Sequence, residues 1–378
     1  MDIERRMELI KRPPTEEIIT EEDLRALLQT KQKPMAYDGF ETSGLMHIGS
    51  SVLRAIKIND LLEAKVDFTL WIADWFAYIN NKMNGDMELI KKTGEYFIEG
   101  WKACGVPVDK VRILRTSDAI KDPDYWKGVI DVAKVTTLQR TIRASPIMGR
   151  QEADMKYTSQ LFYPMMQAWD PFYFNADILQ LGMDQRHATI LSREVAPKLG
   201  KPVPVCVHHH LLVGLQGSAG RMGQETATLH GSGSASGRGN ADGTGDGSGI
   251  DEKMSKSKPQ TAIFIHDTKQ EIEDKIKKAY CPERATEGNP ILEMWKYIIL
   301  RKFKARTIER PAKFGGNVDV DSYGNLESMY REGKLHPMDL KKETANAMDE
   351  ILSPVRKHFE AGKAKKLYEI VKAAQITR

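Results

Sequence analysis

Two short segments carry residue types suited to binding and transferring phosphate groups. They are Met46-His47-Ile48-Gly49-Ser50 and Lys253-Met254-Ser255-Lys256-Ser257. His47 can donate a hydrogen bond to a phosphate, and Gly49 lets a nucleotide approach the backbone closely. Lys253 and Lys256 offer two ammonium groups to a triphosphate and to the charge that develops on a leaving pyrophosphate. Taken singly, each segment also fits an ordinary role, as a helix cap in the first case and a solvated linker in the second.

Strand signals alternate with helix signals over the first half of the chain. Strands are predicted at residues 33–40, 66–74, 111–114, 176–182 and 203–207, and helices at 47–64, 87–104, 125–141, 157–174 and 185–199. This alternation predicts an α/β fold with a Rossmann-like, doubly wound parallel sheet. Nucleotides bind such sheets at the carboxyl ends of the strands. The His47 segment follows the first of these strands and opens the first of these helices, where unpaired N–H groups favour phosphate.

The pattern changes after about residue 260. Helices are predicted at residues 269–280, 291–304, 341–359 and 363–374. We therefore expect a catalytic domain over residues 1–260, with a helical insertion at about 120–165, and an all-helical C-terminal domain over 261–378. Residues 217–249 are rich in Gly, Ser, Thr and Asp and are predicted to form a flexible loop, because they cannot bury enough apolar surface to order themselves. They lack the acidic spacing of a calcium loop.

The overall composition excludes several classes of protein. The 378 residues are 41% hydrophobic and 29% charged, which is typical of a globular protein. No apolar run approaches the roughly 20 residues of a membrane helix, and the N-terminus has no signal-peptide core. Three scattered cysteines argue against a disulfide scaffold and a CxxC zinc site, and they suit the cytoplasm. A net charge of +4 permits a nucleic-acid partner without requiring one.

The His-Ile-Gly and Lys-Met-Ser-Lys-Ser elements, one after the first strand and one after the last, resemble the signature pair of the class I aminoacyl-tRNA synthetases. Residues 36–44, 163–170 and 182–187 resemble tyrosyl-tRNA synthetases of the archaeal and eukaryotic type, and residues 313–316 and 335–340 resemble their anticodon-binding region. The resemblance implies a tyrosine–tRNA ligase that uses ATP with Mg²⁺ as a substrate and holds no tightly bound cofactor. Its implied partners are L-tyrosine, ATP, tRNA(Tyr) and a second copy of the chain, with the insertion at the dimer interface.

The resemblance also implies roles for individual residues. Tyr37 and Asp170 match the positions that bind the phenol hydroxyl of tyrosine, and Tyr163, Gln167 and Gln185 match those that hold its α-ammonium group. The positions that match the ATP-binding and catalytic residues are Gly39, His47, Gly49, Asp184, Lys253, Ser255 and Lys256. The residues themselves support the assignment of the tyrosine-binding site, because Tyr163, Gln167 and Asp170 are spaced i, i+4 and i+7 and so share one helix face.

RNA contacts are predicted at two places. By resemblance, Arg140, Arg143 and Arg186 meet the acceptor end of the tRNA. Phe314 is predicted to stack on an anticodon base, with His336 and Asp339 at its edge. A basic stretch over residues 296–313 suits phosphate contact, and a solvated helix face is the alternative. No metal site is predicted, because neighbouring residues of a strand point to opposite faces and His208, His209 and His210 therefore cannot easily bind one ion.

Three alternatives stay open at this point. A tryptophanyl-tRNA synthetase is the nearest, although it should lack the phenol-binding Asp170. A non-catalytic RNA-binding derivative is suggested by the long Gly-rich segment, and an altered amino-acid specificity is the third. Two positions depart from the family pattern, since Ser50 replaces a His in the signature and Phe76 replaces a His beside the substrate pocket.

Overall fold

The computed structural model describes residues 1–149, 155–217, 253, 254, 256 and 258–376. Ser255 and nearly all of the predicted Gly-rich loop lie outside these described residues. The chain divides into two compact units, one formed by Met1–Leu211, Phe264–His266 and Leu352–Arg378, the other by Leu212–Ile263 and Asp267–Ile351. This division falls near Leu211 and not after residue 260, and it assigns the last helix to the first unit.

A six-stranded sheet forms the centre of the first unit, in the order β1-β6-β5-β2-β3-β4. The strands are β1 (Thr15–Ile19), β2 (Met35–Phe40), β3 (Asp67–Ile72), β4 (Arg112–Arg115), β5 (Ile178–Gly182) and β6 (Val205–His209). Neighbouring strands are parallel, except that β1 pairs antiparallel with β6. The order reverses between β2 and β5, which confirms the doubly wound fold and places the switch point there. The edge strand β1 was not predicted.

The register of the sheet brings polar and aromatic residues to its carboxyl edge. Strands β5 and β6 are buried throughout, as expected for parallel strands covered by helices on both faces. Tyr37 of β2 is paired with Leu179 of β5, and Gly39 of β2 with Trp71 of β3. Because side chains alternate along a strand, Tyr37 and Gly39 face the same side of the sheet.

Helices accompany the sheet in the first unit and recur through the described part of the second unit. In chain order they are α1 (Ile3–Lys11), α2 (Glu21–Thr30), α3 (Val52–Glu63), α4 (Asp74–Ile79), α5 (Met87–Ala103), α6 (Thr116–Ala119), α7 (Pro123–Lys134), α8 (Leu138–Ala144), α9 (Ser159–Tyr173), α10 (Arg186–Val195), α11 (Lys269–Lys278), α12 (Pro290–Met294), α13 (Leu300–Lys302), α14 (Tyr323–Arg331), α15 (Pro337–His358) and α16 (Gly362–Ile376). A π-helical turn, Trp295–Ile299, joins α12 to α13. None of the described helices is long and apolar enough to cross a membrane.

Three predicted elements need correction. The first predicted helix begins at Val52 and not at His47, because the Ser51 hydroxyl bonds the His47 carbonyl at 2.7 Å and holds a turn there. The helix predicted over residues 125–141 is two helices, since Thr137 caps α8 through the Arg140 N–H. The second unit is not entirely helical, because Arg306–Ile308 and Val318–Val320 pair as an antiparallel hairpin, β7 and β8.

Candidate active site

The two residues predicted to bind a phenol lie together at the carboxyl end of the sheet. Tyr37 lies on β2 and Asp170 on α9, and they are 2% and 1% exposed. Burial raises the pKa of the Tyr37 hydroxyl well above its usual value, and the Asp170 charge raises it further. The carboxylate therefore lies within electrostatic reach of the Tyr37 hydroxyl.

Two residues that sequence reasoning missed hold the Asp170 carboxylate. The Trp71 indole N–H donates to Oδ2 across 2.9 Å, and the Tyr125 hydroxyl donates to Oδ1 across 2.8 Å. Each carboxylate oxygen thus has one fixed donor and keeps acceptor capacity for another. No spacing rule singles out these two residues, since each is an aromatic side chain inside a predicted strand or helix.

Burial dominates the electrostatics of this carboxyl group. It raises the pKa of Asp170 to about 8, although the hydrogen bonds from Tyr125 and Trp71 act in the opposite direction. A ligand hydroxyl that donates to the carboxylate would favour its charged form. The pocket therefore favours a ligand with a hydroxyl at this point over one that presents only carbon.

The helix face predicted from the i, i+4, i+7 spacing is present on α9. Tyr163, Gln167 and Asp170 are all buried. The Gln167 side-chain amide donates to the Gln185 side-chain oxygen at 3.0 Å, and the Gln185 amide donates to the Ile147 carbonyl at 3.2 Å. This chain of amides orients polar groups beside the phenol-binding pair, as a bound ammonium group requires.

A carboxylate that was not predicted, Glu41, lies next to this polar face. The Tyr163 hydroxyl donates to Glu41 Oε2 at 3.5 Å, and the Asn80 amide donates to the same oxygen at 2.8 Å. Lys82 lies 3.3 Å from the other carboxylate oxygen. Phe76, which departs from the family pattern, packs edge-on against the Tyr163 ring at 4.7 Å.

The His47 segment forms a tight turn before α3. The Gly49 N–H donates to Nδ1 of His47 at 3.2 Å, and Ser50 bonds both the N–H and the carbonyl of His47. His47 also forms an isolated antiparallel bridge with Phe264. The imidazole is thus oriented through Nδ1, and Ser50 shapes the turn at the position where the family signature has a second histidine.

A glycine keeps a space open at the end of β5. A Cβ atom on Gly182 would lie 2.6 Å from Oδ1 of Asp184 and 3.4 Å from Nε2 of His209. Nε2 of His209 is buried and has no hydrogen-bond partner among the described residues. These two polar groups flank a cradle at the edge where doubly wound sheets bind nucleotides.

A buried ion pair that was not predicted lies on the same edge. The Arg54 guanidinium donates to Asp38 Oδ2 at 2.5 Å and lies 3.2 Å from Nδ1 of His209. Burial raises the pKa of Asp38 to about 6, and the adjacent Arg54 opposes that shift. Burial, followed by the Arg54 charge, lowers the pKa of His209 well below its usual value. His209 is therefore a neutral imidazole.

The lysine-rich segment is partly described, within the second unit. Lys253 forms an antiparallel bridge with Val213, and the buried Met254 donates its N–H to the Leu212 carbonyl at 2.9 Å. Lys256 follows this pairing in a turn. The apolar Met254 thus anchors the segment between the two lysines.

The three consecutive histidines point in alternate directions, as the strand geometry predicts. His208 bonds Glu17 at 2.7 Å and Thr189 at 2.8 Å, whereas His209 faces the Asp38 ion pair described above. The hydrogen bond from His208 is the main cause that lowers the pKa of Glu17 to about 2. Within the described ranges, no group of three or more His, Cys, Asp or Glu side chains is arranged to hold a metal ion.

The arginines predicted to contact RNA lie in the first unit, and two of them form ion pairs. Arg140 bonds Glu194 at 2.8 Å, and Arg186 bonds Glu17 at 2.9 Å. Arg143 lies in the last turn of α8. Both pairs lie at or near the surface, where ion pairs contribute little to stability and exchange partners easily.

The three residues predicted to read an anticodon lie in the second unit. Phe314 is 60% exposed, and the Lys313 ammonium lies 4.9 Å from the centre of its ring. His336 is exposed, and Asp339 donates its backbone N–H to the His336 carbonyl at 3.1 Å. An exposed ring beside a cation is typical of a platform on which a nucleobase stacks.

Comparison with known proteins identifies the family. Residues 29–227 and 246–353 match the family described as tRNA synthetases class I (W and Y). The chain is 43% identical to tyrosine–tRNA ligase 1, cytoplasmic, of Arabidopsis thaliana over 381 residues, covering 100% of this chain and 90% of the relative. It is 45% identical to the tyrosine–tRNA ligase of Saccharolobus solfataricus over 362 residues, covering 95% of this chain and 94% of the relative.

The solved structures agree with this result. The crystal structure of tyrosyl-tRNA synthetase complexed with L-tyrosine from Pyrococcus horikoshii matches with a TM-score of 0.86 at 37% identity, covering 99% of this chain and 100% of that one. The chain belongs to the class I tyrosyl-tRNA synthetases. Membership confirms the resemblance found in the sequence and the enzyme class. It favours tyrosine over the tryptophan alternative, and an enzyme over a non-catalytic RNA-binding derivative.

Proposed function

We propose that this synthetase activates L-tyrosine with ATP, releasing pyrophosphate, and transfers the tyrosyl group to the 3′ end of tRNA(Tyr). The observation that carries the proposal is the buried Asp170 carboxylate, held by Trp71 and Tyr125 beside Tyr37. The two donors fix the carboxylate and leave it acceptor capacity for one more hydrogen bond. The phenol hydroxyl of tyrosine can donate that bond, beside the packed rings of Tyr37, Trp71 and Phe174.

Selection of tyrosine over phenylalanine follows from the same arrangement. Phenylalanine would offer no hydroxyl to the remaining acceptor capacity of Asp170 or to the Tyr37 hydroxyl, and buried polar groups that lose a hydrogen bond are costly. Tyrosyl-tRNA synthetases are the standard example of this effect, with a discrimination of about 10⁵ against phenylalanine. Tryptophan would bring an indole N–H on a larger, two-ring side chain, so size and donor position, and not the lack of a donor, distinguish it from tyrosine.

At the other end of the amino acid, the polar face of α9 suits the α-ammonium group. Tyr163, Gln167 and Gln185 offer oxygen acceptors there, and Glu41 adds a negative charge that sequence reasoning missed. A cation placed beside these groups gains both hydrogen bonds and charge complementarity. The carboxylate of tyrosine would then be free to attack the α-phosphorus of ATP.

ATP is expected to bind as its Mg²⁺ complex at the nucleotide edge of the sheet. Asp184 and Gly182 suit the ribose, Gly39 and Gly49 allow close approach, and His47 suits a phosphate. The lysine-rich segment, which comprises Lys253, Ser255 and Lys256, would stabilise the leaving pyrophosphate. Catalysis in this proposal is positioning and electrostatic stabilisation, with no covalent enzyme intermediate.

The first-unit surface supports a dimer through the helical insertion. Four large apolar residues of this region are exposed, namely Ile130, Leu138, Tyr157 and Phe162. They lie on α7, α8 and α9 and on the segment before α9, and exposed apolar side chains on neighbouring elements are typical of a contact surface. We propose a cytoplasmic homodimer with this surface at its interface, and tRNA contacts at Arg140, Arg143, Arg186, Phe314, His336 and Asp339.

Transfer of labelled tyrosine to tRNA tests the proposal as a whole. The full-length chain is mixed with ATP, Mg²⁺, tyrosine and total tRNA, and acid-stable labelling of the RNA is measured. We expect labelling that requires ATP and tyrosine and that is lost after mild base, which cleaves aminoacyl esters. RNA binding without ATP consumption would contradict the proposal and support the non-catalytic alternative.

A further inference from the structure

An aromatic cluster connects the C-terminal helix to the His47 turn within the first unit. His266 stacks on Tyr368 of α16, with ring centres 3.8 Å apart and planes inclined by 23°. Phe359 packs edge-on against the same imidazole at 4.7 Å. On another side, the Tyr96 ring of α5 lies 5.6 Å from the imidazole. His266 is thus the shared member of a cluster built from three parts of the chain.

The hydrogen bonds of Tyr96 continue this connection. Its hydroxyl lies 2.8 Å from Nε2 of His266 and accepts the Met46 N–H at 3.2 Å. Burial lowers the pKa of His266 to about 3, so that its imidazole is neutral and Nε2 can accept. In the neutral tautomer with its proton on Nδ1, the Tyr96 hydroxyl donates to His266 and accepts from Met46, which uses both of its hydrogen-bonding functions.

A backbone pairing adds a second link to the same turn. The Ile265 N–H donates to the Met46 carbonyl at 3.1 Å, and Phe264 forms the antiparallel bridge with His47. Phe264 and Ile265 thus lie along Met46 and His47 as an isolated bridge that leads into a turn. The carbonyl of Met46 accepts from Ile265, next to His266, and the N–H of Met46 donates to Tyr96. The peptide groups on both sides of Met46 are thus held by hydrogen bonds.

The end of the chain contacts α5 at two points. Lys363 of α16 pairs with Glu95 at 2.8 Å, and His358, the last residue of α15, bonds Glu99 at 2.8 Å. Val371 is fully buried. A Cβ on Gly100 of α5 would collide with the Met46 side chain, which shows how closely that helix packs on the turn.

We propose that Tyr368 and His266 are positioning residues for His47, and that the C-terminal helix braces the turn that presents His47 to ATP. Neither residue touches the substrates in this account. They act by fixing the Met46 peptide groups, and through them the backbone from which His47 projects. The inference rests on the proposed function of His47 in activation. A displacement of about 1 Å at a positioned group can lower a rate about 100-fold.

Kinetics of pyrophosphate exchange test the brace in four variants of the full-length chain. Tyr368→Ala removes the stacked ring, and Tyr96→Phe removes one hydroxyl. We expect kcat to fall about tenfold in both, with the KM for tyrosine unchanged, because the phenol pocket is not part of the cluster. Tyr368→Phe keeps the ring and should restore the wild-type kcat. Lys366→Ala changes an exposed side chain of the same helix, outside the stack, and should leave kcat unchanged.

Amide hydrogen exchange gives a readout that does not depend on activity. We expect Tyr368→Ala and Tyr96→Phe to increase exchange at the Met46 amide, and Lys366→Ala not to do so. Unchanged kcat and unchanged Met46 protection in the first two variants would overturn the proposal, and so would an equal loss of kcat in Lys366→Ala. If the wild type showed no exchange of pyrophosphate, the proposed function would fail. Protection of the Met46 amide from hydrogen exchange would still decide whether the C-terminal helix braces the His47 turn.

Discussion

The indole N–H of Trp71 donates to the carboxylate of Asp170 across 2.9 Å, and both residues are at least 98% buried. This bond joins the end of β3 to the last turn of α9. It fixes one carboxylate oxygen, while Tyr125 fixes the other. The carboxylate can then meet a phenol hydroxyl with little reorganisation, which is the condition for strong selection by a buried polar group.

Replacing the carboxylate should weaken tyrosine activation selectively. We expect Asp170→Ala to lower kcat/KM for tyrosine about 10- to 100-fold, since a hydrogen bond to a charged group contributes about 1.5–3 kcal/mol. The KM for ATP should stay close to that of the wild type. Steady-state pyrophosphate exchange measures both constants, with Asp131→Ala on the surface of α7 as the control. Equal losses for tyrosine and ATP would refute the assigned role.

The indole donor can be removed while an aromatic ring is kept. Trp71→Phe leaves Oδ2 of Asp170 without its donor, and a buried unsatisfied acceptor costs about 1–3 kcal/mol. We expect tyrosine to bind about tenfold more weakly by calorimetry. Trp126→Phe is a matched control, because its indole donates to the Ile120 carbonyl and not to the pocket. Wild-type affinity in Trp71→Phe would show that the bond does not organise the site.

The buried carboxyl group should also leave a mark on the pH dependence of stability. The folded-state pKa of Asp170, about 8, lies above the ordinary 3.8, so the folded chain binds this proton more tightly than the unfolded chain. Its contribution to stability is therefore present below pH 4 and is lost as pH rises through about 8. Asp170→Asn cannot ionise. We expect its Tm, relative to that of the wild type, to increase from pH 4 to pH 8, and a constant difference would contradict the shift.

The second lysine of the lysine-rich segment should act on the rate and not on tyrosine binding. Lys256→Ala removes a charge proposed to stabilise the leaving pyrophosphate, and loss of one such group lowers a rate by about 10²–10³-fold. Tyrosine affinity should be almost unchanged. Single-turnover formation of the adenylate separates the two effects, with the exposed Lys258→Ala as the control. A loss of affinity at an unchanged rate would overturn the charge-stabilising role.

Periodicity and motif order were enough to predict the core of this fold. The alternation of strands and helices gave the parallel sheet, and the i, i+4, i+7 spacing placed Tyr163, Gln167 and Asp170 on one face of α9. The edge strand β1 escaped prediction because its short segment, Thr15–Ile19, has only two apolar residues. The hairpin β7–β8 escaped for a similar reason, since three-residue strands are too short to show alternation.

The partners of the site residues could not be predicted in the same way. In the sequence, Trp71 lies 99 positions and Tyr125 lies 45 positions from Asp170, and Glu41 lies 122 positions from Tyr163. Only the folded chain therefore shows these contacts. The buried Asp38–Arg54 pair was missed because no local pattern distinguishes a paired buried charge from a surface charge. The cluster at His266 depends on the return of the C-terminal helix to the first unit.

Amino-acid-dependent exchange of labelled pyrophosphate into ATP is the most direct test of the central claim. The wild-type chain is assayed with tyrosine, tryptophan and phenylalanine in parallel, in the presence of Mg²⁺. The arrangement around Asp170 predicts exchange with tyrosine and, at equal concentrations, none above background with the other two. Exchange with tryptophan or phenylalanine in place of tyrosine would contradict the phenol-binding pocket, and no exchange with any of the three would contradict the activation step itself.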